Sequence, residues 1–159
     1  MPTREAVMRA LLAQAATAAA FQTVSRRVEL VPGAPTPTVA TPPAQPALYL
    51  YEGDEIIQQT PRRGLAVRTW DVALFLWCKI PLGTTLGVPD GTTPGATVIN
   101  TLIEAVEAAL APDDPGTGCL TLGGLVEWCR IEGRILKVPG DINPDGQCFA
   151  EIPIKILVP

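Results

Sequence analysis

The longest alternating run in the chain, residues 65–80, sets the frame that the rest must fit. Val72, Leu74, Leu76, Cys78 and Ile80 fall on one side of an extended backbone. Ala73, Phe75, Trp77 and Lys79 fall on the other. A period of two over that length reads as a β-strand. Fully extended at about 3.3 Å per residue, it would reach about 53 Å. That is longer than a small domain, so one end must bend or project. A strand this apolar needs a sheet around it and a layer to cover its core side.

Two amphipathic segments can supply the layer. Thr3 is placed as an N-cap, with Glu5 in the first turn, where the helix dipole favours a negative charge. Val7, Leu11, Ala15 and Ala18 then recur at helical spacing, widened by Met8 and Leu12, and the helix is expected to run to about Gln22. The second helix has Thr93 as its N-cap and Pro94 as its first residue. Its apolar stripe is Val98, Ile99, Leu102, Ile103, Val106 and Leu110, and it ends before Pro112.

Further strands are expected at residues 25–31, 47–52 and 148–158. In the second of these, Leu48 and Leu50 oppose Tyr49 and Tyr51, and the following residues 52–64 are polar and turn-rich. Residues 126–138 read as a strand or bent hairpin, with Gly133 as a bulge or kink. In the last strand, Ala150, Ile152, Ile154, Ile156 and Val158 share the core side. Pro153 points the other way and cannot donate to a ladder, so that strand should lie at an edge or be bulged there.

The chain of 159 residues suits a single domain spanning 1–159. The expected fold class is α+β: a mostly antiparallel sheet of four to five strands, two helices packed on one face, and long projecting loops. The core should draw on Val7, Leu11, Leu74, Leu76, Leu102, Val106, Ile152, Ile154 and Ile156. Residues 32–46 are too rich in proline for regular structure, and residues 81–93 form a second flexible loop. The Pro-rich loop reads either as a connector or as an arm that orders on a neighbouring subunit.

A search for chemistry finds little. There is no histidine, so a hydrolytic triad lacks its usual base. Cys78, Cys119, Cys129 and Cys148 have no Cys-x-x-Cys spacing and are expected to be reduced rather than metal ligands, and Cys78, Cys129 and Cys148, inside apolar strand candidates, read as small buried hydrophobes. Glu52, Asp54, Glu55, Asp113 and Asp114 sit in turn-like segments, where a solvated surface is the plain reading. The glycine-rich stretch before the second helix lacks the lysine of a phosphate-binding loop. No catalytic residue, cofactor or metal is expected. The net charge of −4 and an aromatic share of only 5% do not favour nucleic-acid wrapping or base stacking. No apolar run is long enough to span a membrane, the Ala-rich stretch 10–21 is a poor secretory signal, and the cytoplasm is the expected compartment.

The basic doublets Arg26-Arg27 and Arg62-Arg63 stay open to three readings. They are solvated loop ends, or contacts to a DNA backbone, or one side of a subunit interface met by Glu52, Asp54 and Glu55.

Three stretches carry a family resemblance. Residues 45–55 (Gln-Pro-Ala-Leu-Tyr-Leu-Tyr-Glu-Gly-Asp-Glu) look like the second-strand segment of phage tail-completion proteins. Residues 100–110, followed by Thr121-Leu122-Gly123-Gly124-Leu125-Val126, resemble their second helix and its turn into the next strand. Ile152-Pro153-Ile154-Lys155-Ile156 is similar to their last strand. The chain thus resembles the tail terminator and tail-completion family of tailed bacteriophages. The resemblance implies a non-enzymatic α/β subunit of a ring, usually a hexamer. Such a ring sits at the tail top of the virion, stops growth of the tail tube and meets the head–tail connector, while DNA passes through its lumen. Another ring of the same particle, a head–tail stopper or minor tail protein, is the alternative. A small-molecule-binding module or an enzyme is the outside case.

Overall fold

The computed structural model describes residues 2–26, 44–59, 66–79, 95–139 and 147–158. Their order is α1 (Arg4–Ala16), β1 (Thr23–Ser25), β2 (Ala47–Gln59), β3 (Ala66–Lys79), α2 (Gly95–Ala109), β4 (Trp128–Ile131), β5 (Leu136–Val138) and β6 (Gln147–Val158). They form an α+β fold with a six-stranded sheet in the order β1-β2-β3-β6-β4, and β5 also pairs with β6. All pairings are antiparallel except β1 with β2. The sheet has one strand more than the four to five expected, because the 126–138 segment supplies two, β4 and β5.

β3 is the long alternating run, and its register explains how so long a strand is held. From Arg68 to Lys79 it pairs with β6, and from Ala66 to Trp77 it pairs with β2. Only Ala66 and Val67 extend past the end of β6, paired with β2 alone. Val72, Leu74, Leu76 and Cys78 face the helices, beside Ala150, Ile152, Ile154, Ile156 and Val158 of β6. Val7, Met8, Leu11 and Ala15 of α1 and Ile99, Ile103 and Val106 of α2 close this core from one side. Both helices thus pack on the same face of the sheet, as the alternation requires.

Leu102 is the exception among the expected core residues. It is only half-buried against the cluster, because α2 turns its Ile99–Ile103–Val106 stripe inward. The other expected core residues are all buried.

α1 starts as predicted, with the Ala6 N–H donating to Thr3 Oγ1 at 3.2 Å. It ends at Ala16, short of Gln22, with Thr17 as C-cap. Alanine propensity would carry the helix further, but tertiary contacts win. Phe21 packs against the core, and the Gln22 N–H donates to Pro46 O at 2.9 Å, which turns the chain into β1. β1 accordingly begins at Thr23 rather than Ser25, while residues 27–31 of the expected strand lie outside the described residues. So do residues 32–43 of the Pro-rich stretch and all of 81–93.

β2 corrects a second expectation. Residues 52–59 are strand, not turn: the ladder continues to Gln59 after a register shift between Glu52 and Glu55. Gly53 makes that bulge possible, since a Cβ there would stand 2.8 Å from Asp71 O. The polar composition misled because β2 is an exposed strand at this end, where polar side chains stay in water.

The face away from the helices is aromatic at one end. Ala47, Tyr49, Trp77 and Phe149 form a second, smaller buried cluster, with Phe75 against it. Tyr51 stacks on Phe75 at 5.9 Å between centroids and remains exposed.

Candidate functional site

The sequence-derived interface residues divide by their placement. Arg26, Glu52, Asp54 and Glu55 are described, whereas Arg27, Arg62 and Arg63 lie outside the described residues. Those that are described converge where the first turn of α1 meets the β2 bulge. The parallel β1–β2 pairing delivers Arg26 to this point, one residue past Ser25, which pairs with Tyr49. Its guanidinium donates to both Glu5 on α1 and Glu52 on β2. Glu5 also accepts from Arg9, one helical turn on, at 3.1 Å.

A second ion pair lies beside the first. Arg4 donates to Glu55 Oε2 through Nε at 3.0 Å and through NH2 at 2.5 Å. Arg68 NH1 stands 3.7 Å from Glu55 Oε1. The Arg4 guanidinium also lies 5.9 Å from the Trp70 ring centroid. Arg4, Glu5, Arg68 and Trp70 were not among the residues singled out from sequence. Glu5 gave only a local signal, as a first-turn acid, and nothing in the sequence brings residue 4 to residue 55.

The electrostatics follow from these contacts. Arg26 first, then Arg9, hold the Glu5 carboxyl below its ordinary range. Arg4 does the same for Glu55, and the charge of Arg68 adds to it. Arg26 is pushed up, chiefly by Glu5 and then by Glu52. Glu52 and Glu55 are thus met by arginines of their own subunit. Among the described residues, Asp54 has no ion-pair partner, and it is exposed.

A half-open cleft of about 120 Å³ lies here, between Arg4 and Met8 on one side and Glu52, Asp54 and Trp70 on the other. Ligand pockets for drug-sized molecules run to roughly 300–1,000 Å³. The cleft is smaller than that, with room for a side chain or a few waters.

Asp113 and Asp114 have structural work. Asp113 accepts from Thr121 N at 2.5 Å and Gly123 N at 3.0 Å, and Asp114 from Thr117 Oγ1 at 2.7 Å and Gly116 N at 2.9 Å. These bonds lower both carboxyl pKa values, led by Gly123 for Asp113 and by Thr117 for Asp114. They also hold a turn in which Leu122, Gly123 and Gly124 have φ of 52°, 69° and 83°.

On the opposite side of the sheet, Glu132 accepts from Lys155 at 3.1 Å and pairs with Arg130 at 2.5 Å. Arg130 lies 4.2 Å from the Trp128 ring centroid, a cation–π distance. The four cysteines are free, and burial pushes the thiols of Cys78 and Cys129 up to about 12. Among the described residues, no group of three or more Cys, Asp or Glu is placed to hold a metal ion, and no helix is long and apolar enough to cross a membrane. No family model and no curated protein matches the sequence.

Proposed function

We propose that this chain is a structural virion protein whose copies form a ring at the top of a phage tail tube. The ring ends polymerisation of the tube protein and presents a face to the head–tail connector. The observation that carries this reading is where the three family-like stretches fall. Residues 45–55 contain the first part of β2 and its bulge, residues 100–110 contain most of α2, residues 121–126 form the turn that Asp113 braces, and residues 152–156 lie in the centre of β6. Each of them sends side chains into the one core beneath the helices: Leu48 and Leu50 from the first, Val106 and Leu122 from the second, Ile152 and Ile154 from the third.

The layer arrangement supports the same reading. Helices cover one face of the sheet, and the other carries exposed Tyr51 and Ile56 together with the Arg130–Glu132–Lys155 group. Such a surface suits broad contact with protein neighbours. The subunit acts by contact, without chemical turnover, and the net charge of −4 lets DNA slide through the lumen instead of adhering. Neighbours in a closed ring meet through two different surfaces, as heterologous contacts require. The protein belongs, on this reading, to the neck of the virion after assembly in the host cytoplasm.

Phage lacking the protein is the test. Tails of excessive or uncontrolled length, or tails that fail to join heads, are expected. The pure protein should bind DNA only weakly and with strong salt sensitivity. Normal-length tails joined to filled heads would overturn the terminator reading and leave a stopper or minor tail ring in its place.

A further inference from the structure

Cys78 and Cys148 face each other across the ladder between β3 and β6. They are register partners, and both side chains lie on the helix side of the sheet, in the main core. Cys78 is 5% exposed and Cys148 is fully buried. The two side chains are in hydrogen-bond contact, and the Cys148 thiol also donates to Pro139 O at 2.9 Å. Directly opposed residues of an antiparallel pair have Cα atoms about 4.5–5.5 Å apart. A disulfide spans Cα separations of about 4.4–6.8 Å, so the ladder already holds these two cysteines at bridging range.

The other two thiols are not placed to compete. Cys129 pairs with Ile156, which lies eight residues along β6 from Cys148, or about 27 Å. Cys119 precedes Leu120, which bridges to Cys129, so alternation turns Cys119 to the opposite side. Position also decides access. Cys78 is the last residue but one of β3, and Cys148 is the second of β6. Strand ends open at lower cost than strand centres. While the pair is closed it is inert, because burial holds the Cys78 thiol near 12 and only a thiolate attacks. Once the end opens to water, both react as ordinary thiols.

We propose that Cys78 and Cys148 are a redox modification site, which forms an intrachain disulfide when the protein passes from reducing to oxidising surroundings. The oxidant is a small-molecule disulfide. One protein thiol gives its proton to water and attacks that disulfide, releasing one small thiolate. The second protein thiol, deprotonated in the same way, attacks the protein sulfur of the mixed disulfide and releases the other small thiolate. The two leaving thiolates take up the two protons, so two thiols are oxidised and one disulfide is reduced. The product ties the end of β3 to the start of β6 and closes a loop of about 70 residues. For the neck protein proposed above, that passage is release of the particle from the reducing host cytoplasm. Only this timing rests on the ring reading, whereas the bond rests on the ladder.

The purified full chain, fully reduced and then held in excess oxidised glutathione, tests the site. Peptide mapping should link Cys78 to Cys148 in most molecules. In a Cys119→Ser background, which removes the half-exposed thiol, the link should persist and the intact mass should fall by two hydrogen atoms. Formation should be slow beside the labelling of Cys119 and several-fold faster in urea below the unfolding transition. The linked protein should melt about 5–10 °C above the reduced one, and Cys148→Ala should abolish that difference. Free thiols or glutathione adducts alone at both positions, after opening in urea and return to buffer, would overturn the proposal. So would linkage of Cys129 as frequent as that of Cys78 to Cys148. A ring that never forms would leave this bond in place, and a missing bond would leave the ring reading untouched.

Discussion

Gly133 lies against the ring of Pro153, so closely that a Cβ added to Gly133 would stand 3.0 Å from Pro153 Cγ. The two residues solve one problem together. β6 is an interior strand, yet Pro153 has no N–H to give. Pro153 accepts from Glu132 N, so its nitrogen faces β4 and β5 rather than β3. There the facing chain bulges: Ile131 pairs with Ile154, but Leu136 already pairs with Glu151. The missing donor therefore meets no waiting acceptor.

Gly133→Ala should accordingly destabilise the fold by about 1–3 kcal/mol, since φ of 132° is closed to alanine and the Pro153 ring is in the way. Adding Pro153→Ala should recover the crowding part but not the backbone part. Urea melts of the single and double variants measure both. Full recovery in the double variant would mean that backbone strain plays no role.

Core substitutions should separate Leu74 from Leu102. Leu74 is fully buried, so Leu74→Ala should cost about 2–5 kcal/mol. Ile103→Ala should fall in the same range. Leu102→Ala should cost clearly less, because the side chain is already half in water. Chemical denaturation ranks the three. A Leu102 loss as large as that of Leu74 would contradict the placement of α2.

These contrasts show what the sequence made legible. The alternation of β3 and β6 and the stripe of α2 fixed the fold class, because burial on one face imposes a period. β2 beyond Glu52 was not legible, since an exposed strand imposes no such period and its polar residues imitate a turn. The end of α1 was decided by Phe21 and Gln22 reaching the sheet, which no local propensity records. Of the candidate site, Glu52, Asp54 and Glu55 were visible as a cluster. Their partners Arg4 and Glu5 were not, because they come from a segment distant in sequence.

Acid should weaken the attachment of α1 to β2. Glu5 and Glu55 have pKa values depressed below 4.5, and Asp113 one below 3.8. A depressed carboxyl contributes stability above its unfolded pKa and loses it as pH falls through the folded value. Melting temperature should thus hold steady down to about pH 5 and then fall. Arg26, with its pKa raised, stays charged across this range and adds no slope of its own. Glu55→Gln and Asp113→Asn should each lower stability at pH 7 and flatten the acid slope. An unchanged slope in both variants would show that other carboxylates control acid unfolding.

Thiol labelling should be selective. Burial holds Cys78 and Cys129 near 12, and Cys148 is fully buried with its thiol donating to Pro139 O at 2.9 Å. Only the thiolate reacts, so native protein at pH 8 should label quickly at Cys119 alone. All four cysteines should label in denaturant. Intact mass before and after unfolding counts the labels. Rapid native labelling at Cys129 would mean that the β4 region opens far more easily than its packing suggests.

Charge reversal should distinguish holding the subunit together from holding subunits to each other. Glu52→Arg places a second cation beside Arg26, and Glu55→Arg does so beside Arg4 and Arg68. Both should lower the melting temperature of the isolated chain before any assembly is measured. Asp54 is exposed without an ion-pair partner among the described residues, so Asp54→Arg should leave that temperature nearly unchanged. If the acidic edge meets basic residues of a neighbour in the proposed ring, Asp54→Arg should still reduce assembly onto tail tubes, and more so at low salt, where screening is weak. Paired melting curves and electron microscopy of tube-bound rings read the two effects separately. Normal assembly by Asp54→Arg would remove this edge from the ring contact. A loss of melting temperature equal to that of Glu52→Arg would show that Asp54 braces the bulge within its own subunit.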